Sequence, residues 1–423
     1  MSSRVHPDFI QACSEAVGES NIPDIFRRWT ALSAIAGALG RRCWINRGTF
    51  HVRPNMYIVL VAPPANNKSL SLNLPFSKVM SALSIEPGTE AQDNILLPQY
   101  DMDSYPLHQI SGRITAEQLT RELKTCHRVD LRVHNDPEAR DFGGVFNDSS
   151  LTLITGEFGV FMNRNDQHMQ TFITEVWNSE KEYSYRTKNM GKDLVKGPCL
   201  NWIAGSVPGE FVDCLPENAA SQGLLSRMLP IYHGGVEAPK RKLHYGDISY
   251  DIVDALRHDL ADIGHMCGAF RFHDSILPEV ESDIEKGLPP IPTAQSMLDY
   301  NNRRVDAHIF KVAMSVSAAR SSSRVITRED WITAKEYLFE IETMMPTVLA
   351  NFGTGKVGKI AFDLNTFLDE VVKKNPKRLG IPITLFRREV MRRVSTAAEV
   401  EQVVRAMADA GMIDIDDNIV IPK

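Results

Sequence analysis

Lys68 and Ser69 close the segment Asn55-Met56-Tyr57-Ile58-Val59-Leu60-Val61-Ala62-Pro63-Pro64-Ala65-Asn66-Asn67-Lys68-Ser69. A run of β-formers leads into a short polar turn, then Lys-Ser, then a helix-compatible stretch. This is the outline of a phosphate-binding loop. Pro64, Ala65, Asn66 and Asn67 would form the cradle, Lys68 would reach the β- and γ-phosphates, and the Ser69 hydroxyl would meet Mg²⁺. Ala62 and Asn67 stand where G-x-x-x-x-G-K-[ST] has glycine. Asn enters the left-handed region more easily than most residues, so Asn67 can take over the last glycine's turn. The loop by itself fits a strand-to-helix turn with a solvated Lys equally well.

Three later segments carry groups of the kind such a loop needs. Leu151-Thr152-Leu153-Ile154-Thr155-Gly156-Glu157-Phe158 ends a buried strand on Glu157. A carboxylate there can polarise an attacking water. Gly156 occupies the position where an Asp would support the metal. Trp202-Ile203-Ala204-Gly205-Ser206-Val207-Pro208 puts Ser206 at a strand tip, within reach of a γ-phosphate or acting as a simple strand cap. Gly223-Leu224-Leu225-Ser226-Arg227 places Arg227 just before an apolar strand. It can be a surface ion-pair partner, or a cation aimed at a neighbouring subunit's transition state.

The elements that position these groups alternate between strand and helix, which implies a parallel sheet with helices on both faces. Residues 6–40 read as helical, ended by Gly40. Strands are expected at 42–46, 56–61, 151–155, 199–204 and 228–232. Helices are expected at 69–83, 115–124 (opened by a Thr115-x-x-Gln118 capping box), 167–177, 301–319 and 328–349. Residues 84–107 look like a surface insertion and 128–150 like a loop. Residues 236–248 and 283–294 read as linkers, and 350–358 as a hinge. The tail reads helix, short strand, helix, helix, hairpin, the pattern of a winged helix, with Thr384 and Ser395 as expected N-caps.

Residues 181–197 read as a β-hairpin with Asn189-Met190-Gly191 at its tip. Lys181, Arg186, Lys188, Lys192 and Lys196 against Glu182 and Asp193 give it a local charge of +3 in a chain of net −6. Arg186, Lys188 and Lys192 near the tip are candidates for contacts with single-stranded DNA phosphates, or for a charged edge that discourages strand pairing. The acidic whole argues against a generic nucleic-acid coat. In the tail, Arg387, Arg388, Arg392 and Arg393 lie on the middle helix, while the next helix carries Glu399, Glu401 and Asp409 against Arg405. That helix is a poor match for a major groove. The six cysteines are scattered without C-x-x-C pairs. This argues against a zinc site or disulfide framework and fits a reducing cytoplasm. No apolar run suggests a membrane span or leader.

The order of these parts resembles the AAA+ core of MCM-type helicases, and more closely the MCM-like replicative helicases and primase-helicases of phages, plasmids and mobile islands. Leu225-Ser226-Arg227 matches the family's Leu-Ser-Arg arginine finger. Gly156-Glu157-Phe158 matches its Asp-Glu-Phe with the Asp lost. Arg304, seven residues before Lys311, matches the spacing of its lid arginine. The resemblance implies an α/β P-loop AAA+ (ASCE) core over 1–235, a helical lid over 236–350 and a C-terminal winged helix over 357–423. It also implies ATP and Mg²⁺ as cofactors and Glu157, Ser206, Arg227 and Arg304 in the catalytic apparatus. The expected partners are single-stranded DNA, further copies in a hexameric ring, and a primase or polymerase, in the cytoplasm of a bacterial host. A scaffold or loader with little hydrolysis, and a winged-helix DNA-binding regulator, stay open beside it.

Overall fold

Every residue of the strand Tyr57–Val61 is buried in the computed structural model, at the heart of a sheet of six strands. The structure describes residues 4–18, 20–84, 107–129, 146–187, 191–215, 223–234, 248–294 and 297–349. In the tail it describes 360, 364–365, 367–368, 371–372, 380–394, 396–409, 412–416 and 418–422. The chain divides into two units, Met1–Val348 and Leu349–Lys423.

In chain order the strands of the first unit are β1 (Cys43–Asn46), β2 (His51–Val52), β3 (Tyr57–Val61), β4 (Gln109–Ser111), β5 (Arg128–Val129) and β6 (Asn147–Thr155). They continue with β7 (Glu182–Thr187), β8 (Gly191–Lys196), β9 (Pro198–Ser206), β10 (Met228–Tyr232), β11 (Gly268–Phe272) and β12 (Val325–Ile326). The main sheet runs β10-β3-β9-β6-β4, all parallel, with β5 antiparallel to β6. A smaller sheet runs β12-β11-β1-β2. This is an α/β protein with a parallel core. Among the described residues no helix is long and apolar enough to cross a membrane.

The helix Asp24–Leu39 packs on the main sheet. Ile25, Phe26, Trp29, Leu32, Ile35, Ala36 and Leu39 are buried, as their helical spacing requires. Gly37 is needed for the close approach, because a Cβ there would collide with the Thr152 hydroxyl on β6. Asn201 on β9 locks the layers together. Its Oδ1 accepts from Met56 N at 3.0 Å, and its Nδ2 donates to Ser33 O at 3.0 Å.

The segment 128–150 is not all loop, since β5 lies within it and β6 begins at Asn147 rather than Leu151. The extra residues are polar but buried, which hides them from hydrophobic patterning. Arg41 Nη1 donates to Asn147 O at 2.6 Å, Arg41 N to Ser150 Oγ at 2.8 Å, and Ser149 Oγ to Lys196 O at 2.8 Å, so their burial is satisfied. The helix expected over 69–83 starts one residue earlier and is uneven. It is α over Lys68–Ser71, π over Asn73–Val79 and 3₁₀ over Met80–Leu83. Pro75 has no N–H to complete an α turn. The insertion within 85–106 and the hinge at 350–358 lie outside the described residues, as does the linker except for residue 248. The linker expected at 283–294 starts inside the helix Leu277–Glu285.

The second unit has its own core, with Leu364, Leu368, Phe386, Val390, Val403, Met407, Ile413 and Val420 buried together. Its strands β13 (Ile381–Pro382), β14 (Ile413–Asp416) and β15 (Ile419–Pro422) pair in the order β13-β15-β14, antiparallel, beside helices Ile383–Met391 and Ala397–Asp409. The first helix is entered through Pro382, so Thr384 is not its cap. At the second, Thr396 Oγ1 accepts from Glu399 N at 3.2 Å and Glu399 Oε2 accepts from Thr396 N at 3.1 Å. That reciprocal box sits one residue after the expected Ser395.

Candidate phosphate-binding site

The parallel order brings the carboxyl ends of β3, β9 and β6 side by side, the edge where open α/β sheets bind ligands. The loop 62–69 leaves β3 here. Its start is pinned by Ala62 N donating to Ser206 O at 3.2 Å. Asn67 adopts φ 54 and ψ 24, the left-handed turn expected of it, and its Nδ2 donates to Asn21 O at 3.1 Å. Ala65 is also left-handed, with φ 63. Such a conformation costs alanine about 1–2 kcal/mol, and strain of this kind gathers at ligand sites. Asn66 Nδ2 donates to the carbonyls of Pro63 and Pro64 at 3.1 and 3.2 Å, closing the loop on itself.

Lys68 curls back over this loop. Its Nζ donates to Ala62 O at 2.8 Å and to Pro63 O at 3.0 Å. Burial pushes the ammonium down from its ordinary value, and the Glu210 carboxylate pulls it part of the way back. Ser69 follows, exposed, in the first helical turn.

Glu157 begins the short helix Phe158–Phe161 and is exposed. The turn that presents it is anchored by Phe158, which stacks on Trp202 with ring centres 5.4 Å apart. Trp202 Nε1 donates to Thr155 Oγ1 at 3.0 Å, fixing β9 to β6 just before that turn. Gly205 lets the two strand ends meet. A Cβ there would lie 2.6 Å from Gly156 O and 3.6 Å from Lys68 Cβ. Lys68, Ser206 and the Gly156-Glu157 turn therefore share one small region.

Glu210 is the residue that sequence reasoning missed. It lies in the first turn of Pro208–Cys214 and accepts a hydrogen bond from Ser206 Oγ at 3.0 Å. Its other oxygen lies 2.5 Å from where a Gly159 Cβ would be, against the Glu157 turn. Glu210 thus adds a carboxylate beside Ser206 and Lys68. The available signal was Pro208 opening a helix straight after a strand tip, with an acid in its first turn.

The remaining candidates lie elsewhere. Arg227 precedes β10, whose Met228 pairs with Tyr57, so it sits at the amino end of β3, opposite the loop. Its Nη1 donates to Gly223 O at 2.6 Å and its guanidinium lies 5.6 Å from the Trp177 ring centre. Burial and then Arg303 push it down to about 10. Arg304 is fully buried. Its Nε donates to Glu342 Oε1 at 2.6 Å, and its Nη groups donate to Gly287 O and Pro290 O at 2.9 and 2.8 Å. The expectation of a nucleotide-facing lid arginine gives way to a core ion pair. The hairpin forms as β7 and β8, antiparallel with Arg186 opposite Lys192. Lys188 and the side chains of Arg186 and Lys192 lie outside the described residues.

Among the described residues no group of three or more His, Cys, Asp or Glu is arranged to hold a metal ion alone. The Ser69 hydroxyl and the carboxylates of Glu157 and Glu210 are oxygen donors of the kind a hard cation takes. No protein-family model matches the chain, and no curated protein is detectably similar to it.

Proposed function

We propose that this chain is an ATP-driven motor of AAA+ type, related to the MCM-like helicases, that forms a hexameric ring and moves on single-stranded DNA during phage or mobile-element replication. The observation that carries this reading is the meeting of the loop 62–69, Ser206 and the Gly156-Glu157 turn at the carboxyl ends of three adjacent parallel strands. Residues 64–69 would hold the triphosphate, with Lys68 exchanging its two loop carbonyls for phosphate oxygens and Ser69 facing Mg²⁺. The bound ATP·Mg²⁺ supplies the scissile phosphoanhydride and its charge neutralisation. Glu157 would orient water, and Ser206 would read the terminal phosphate.

Arg227 fits a role across an interface. Lys68 and Arg227 flank opposite ends of the five-residue strand β3, ~15 Å apart along it, so one copy cannot bring both to one phosphate. To act in a neighbouring site, Arg227 must release Gly223 O and Trp177. The +3 hairpin, between the Glu157 and Ser206 strands in the chain, supports a DNA-facing loop. The tail's strand, two helices and hairpin fit a winged helix. There Arg387 pairs with Glu401, and Arg392 and Arg393 pair with Glu389, which favours a protein contact over groove reading.

Gly156 in place of Asp and the self-engaged Lys68 favour a second reading, an ATP-binding scaffold without turnover. Steady-state hydrolysis with mixed variants decides. Arg227→Ala and Glu157→Gln should each lose about 10³-fold in turnover, and mixed rings should regain part of it. If the wild type never hydrolyses ATP, or rings shown to mix regain nothing, the motor reading fails.

A further inference from the structure

The helix Ile383–Met391 buries Phe386 and Val390 in the core of the second unit. At about 100° per residue, Leu385, Arg388, Met391 and Arg392, the helix's C-cap, fall within about 120° on the other side. All four are exposed, Leu385 at 42% and Met391 at 46%. The outer side of a surface helix is normally polar. Here two apolar side chains share it with two guanidinium groups. Arg392 pairs with Glu389 at 2.7 Å. Arg388 has no ion pair or hydrogen bond among the described residues.

The three-stranded sheet has an outer face of the opposite charge. Ile381, Ile413 and Val420 belong to the core, so the alternate residues on each strand point away from it. Pro382 and Asp416 both pair with Ile419, which sets these three in one row across the sheet, and Asp414 opposite Ile421 forms the next row. Pro382, Asp414, Asp416 and Ile419 are exposed, and Ile421 is half-buried. A sheet face left to water normally reads polar. Here two isoleucines lie among the acids. Asp416, like Arg388, has no ion pair or hydrogen bond among the described residues.

We propose that these two faces dock on each other between copies of this chain, the Arg388 face of one copy on the Asp416 face of the next. Leu385 and Met391 cover Ile419 and Ile421, and Arg388 meets Asp416. Opposite charge and matching apolar residues make a second copy the complementary occupant. Either face against itself would set like charges together, so the contact is head-to-tail rather than two-fold. A phosphate backbone would engage the arginines but leave Leu385 and Met391 uncovered. Head-to-tail contacts close into rings where the rotation permits. The proposal locates one contact of the ring read above, and rests on that reading for closure alone.

Sedimentation velocity of the full chain without nucleotide, over a range of protein concentrations, tests the contact apart from the loop 62–69. The wild type should self-associate. Arg388→Glu alone and Asp416→Arg alone should each weaken association about tenfold or more. An equimolar mixture of the two variants should recover it, because every junction of an alternating assembly then meets opposite charge. The double variant should recover it as well. Where a reversal does not fold, Arg388→Gln or Asp416→Asn replaces it, and each should still weaken association. ATP affinity should stay that of the wild type throughout, so a failure here leaves the Lys68 site untouched. A monomeric wild type, association unchanged in the single variants, or a loss that neither the mixture nor the double variant recovers overturns the proposal. Loss of duplex DNA binding in Arg388→Glu with association unchanged gives this face to DNA, and overturns it too.

Discussion

The Ser206 hydroxyl donates to a Glu210 carboxylate oxygen at 3.0 Å, tying the tip of β9 to the first turn of the next helix. This bond puts a negative charge beside Lys68, one strand from the turn where the expected Asp is replaced by Gly156. Glu210 thus brings to the Lys68 region a carboxylate that the Gly156 position does not carry.

That relationship can be tested by rescue. Glu210→Gln should lower ATP turnover by about 10²-fold while leaving ATP affinity equal or tighter, because a charge facing phosphate is gone. Nothing lies within 4 Å of a Cβ built on Gly156, so Gly156→Asp should fold normally. Added to Glu210→Gln, it should recover much of the lost rate. Full activity of the single variant would rule out this role for Glu210.

Arg304→Met should destabilise the fold by about 3–5 kcal/mol, since it strands Glu342 inside the core without its partner. The surviving folded protein should bind ATP as the wild type does. Urea unfolding monitored beside nucleotide titration separates the two effects. A stable variant that has lost ATP affinity would return Arg304 to the nucleotide site.

Two buried bases set a pH profile for stability. Burial pushes the His308 imidazole down to about 3, while its Nε2 donates to Ser226 O. Between that value and the usual 6.5 the unfolded chain takes a proton that the fold refuses, so stability should fall as pH drops through this window. Burial likewise pushes Lys311 down to about 7, against an ordinary 10.5. Between those values the unfolded chain binds more proton, so stability should rise with pH. Urea midpoints across pH should lose the acid-side slope in His308→Gln and the alkaline rise in Lys311→Met. Slopes identical to the wild type in both variants would contradict the assignment.

Several parts of this arrangement were legible in the residues. Lys68-Ser69 after a buried β-run marked the loop, and Asn67's tolerance of the left-handed turn predicted the backbone found there. The alternation of apolar strands with helices predicted the parallel sheet. What escaped has physical reasons. Asn147 to Ser150 form strand while polar, because Arg41 and neighbouring backbone groups satisfy them. Arg304 matched a spacing, and spacing cannot reveal a buried acid thirty-eight residues away on another helix. That Glu210 also lies beside Lys68 follows only from the strand order, because β3 and β9 are neighbours in the sheet and distant in sequence.

We propose that the loop 62–69 is a working phosphate cradle although it contains no glycine. Its most direct test is equilibrium titration of the full chain with ATP and Mg²⁺, beside Lys68→Ala. Saturable binding is expected of the wild type and none of the variant at the same concentrations, with both proteins equally folded. Absence of binding by the wild type at millimolar ATP, or equal binding by the two proteins, would contradict it.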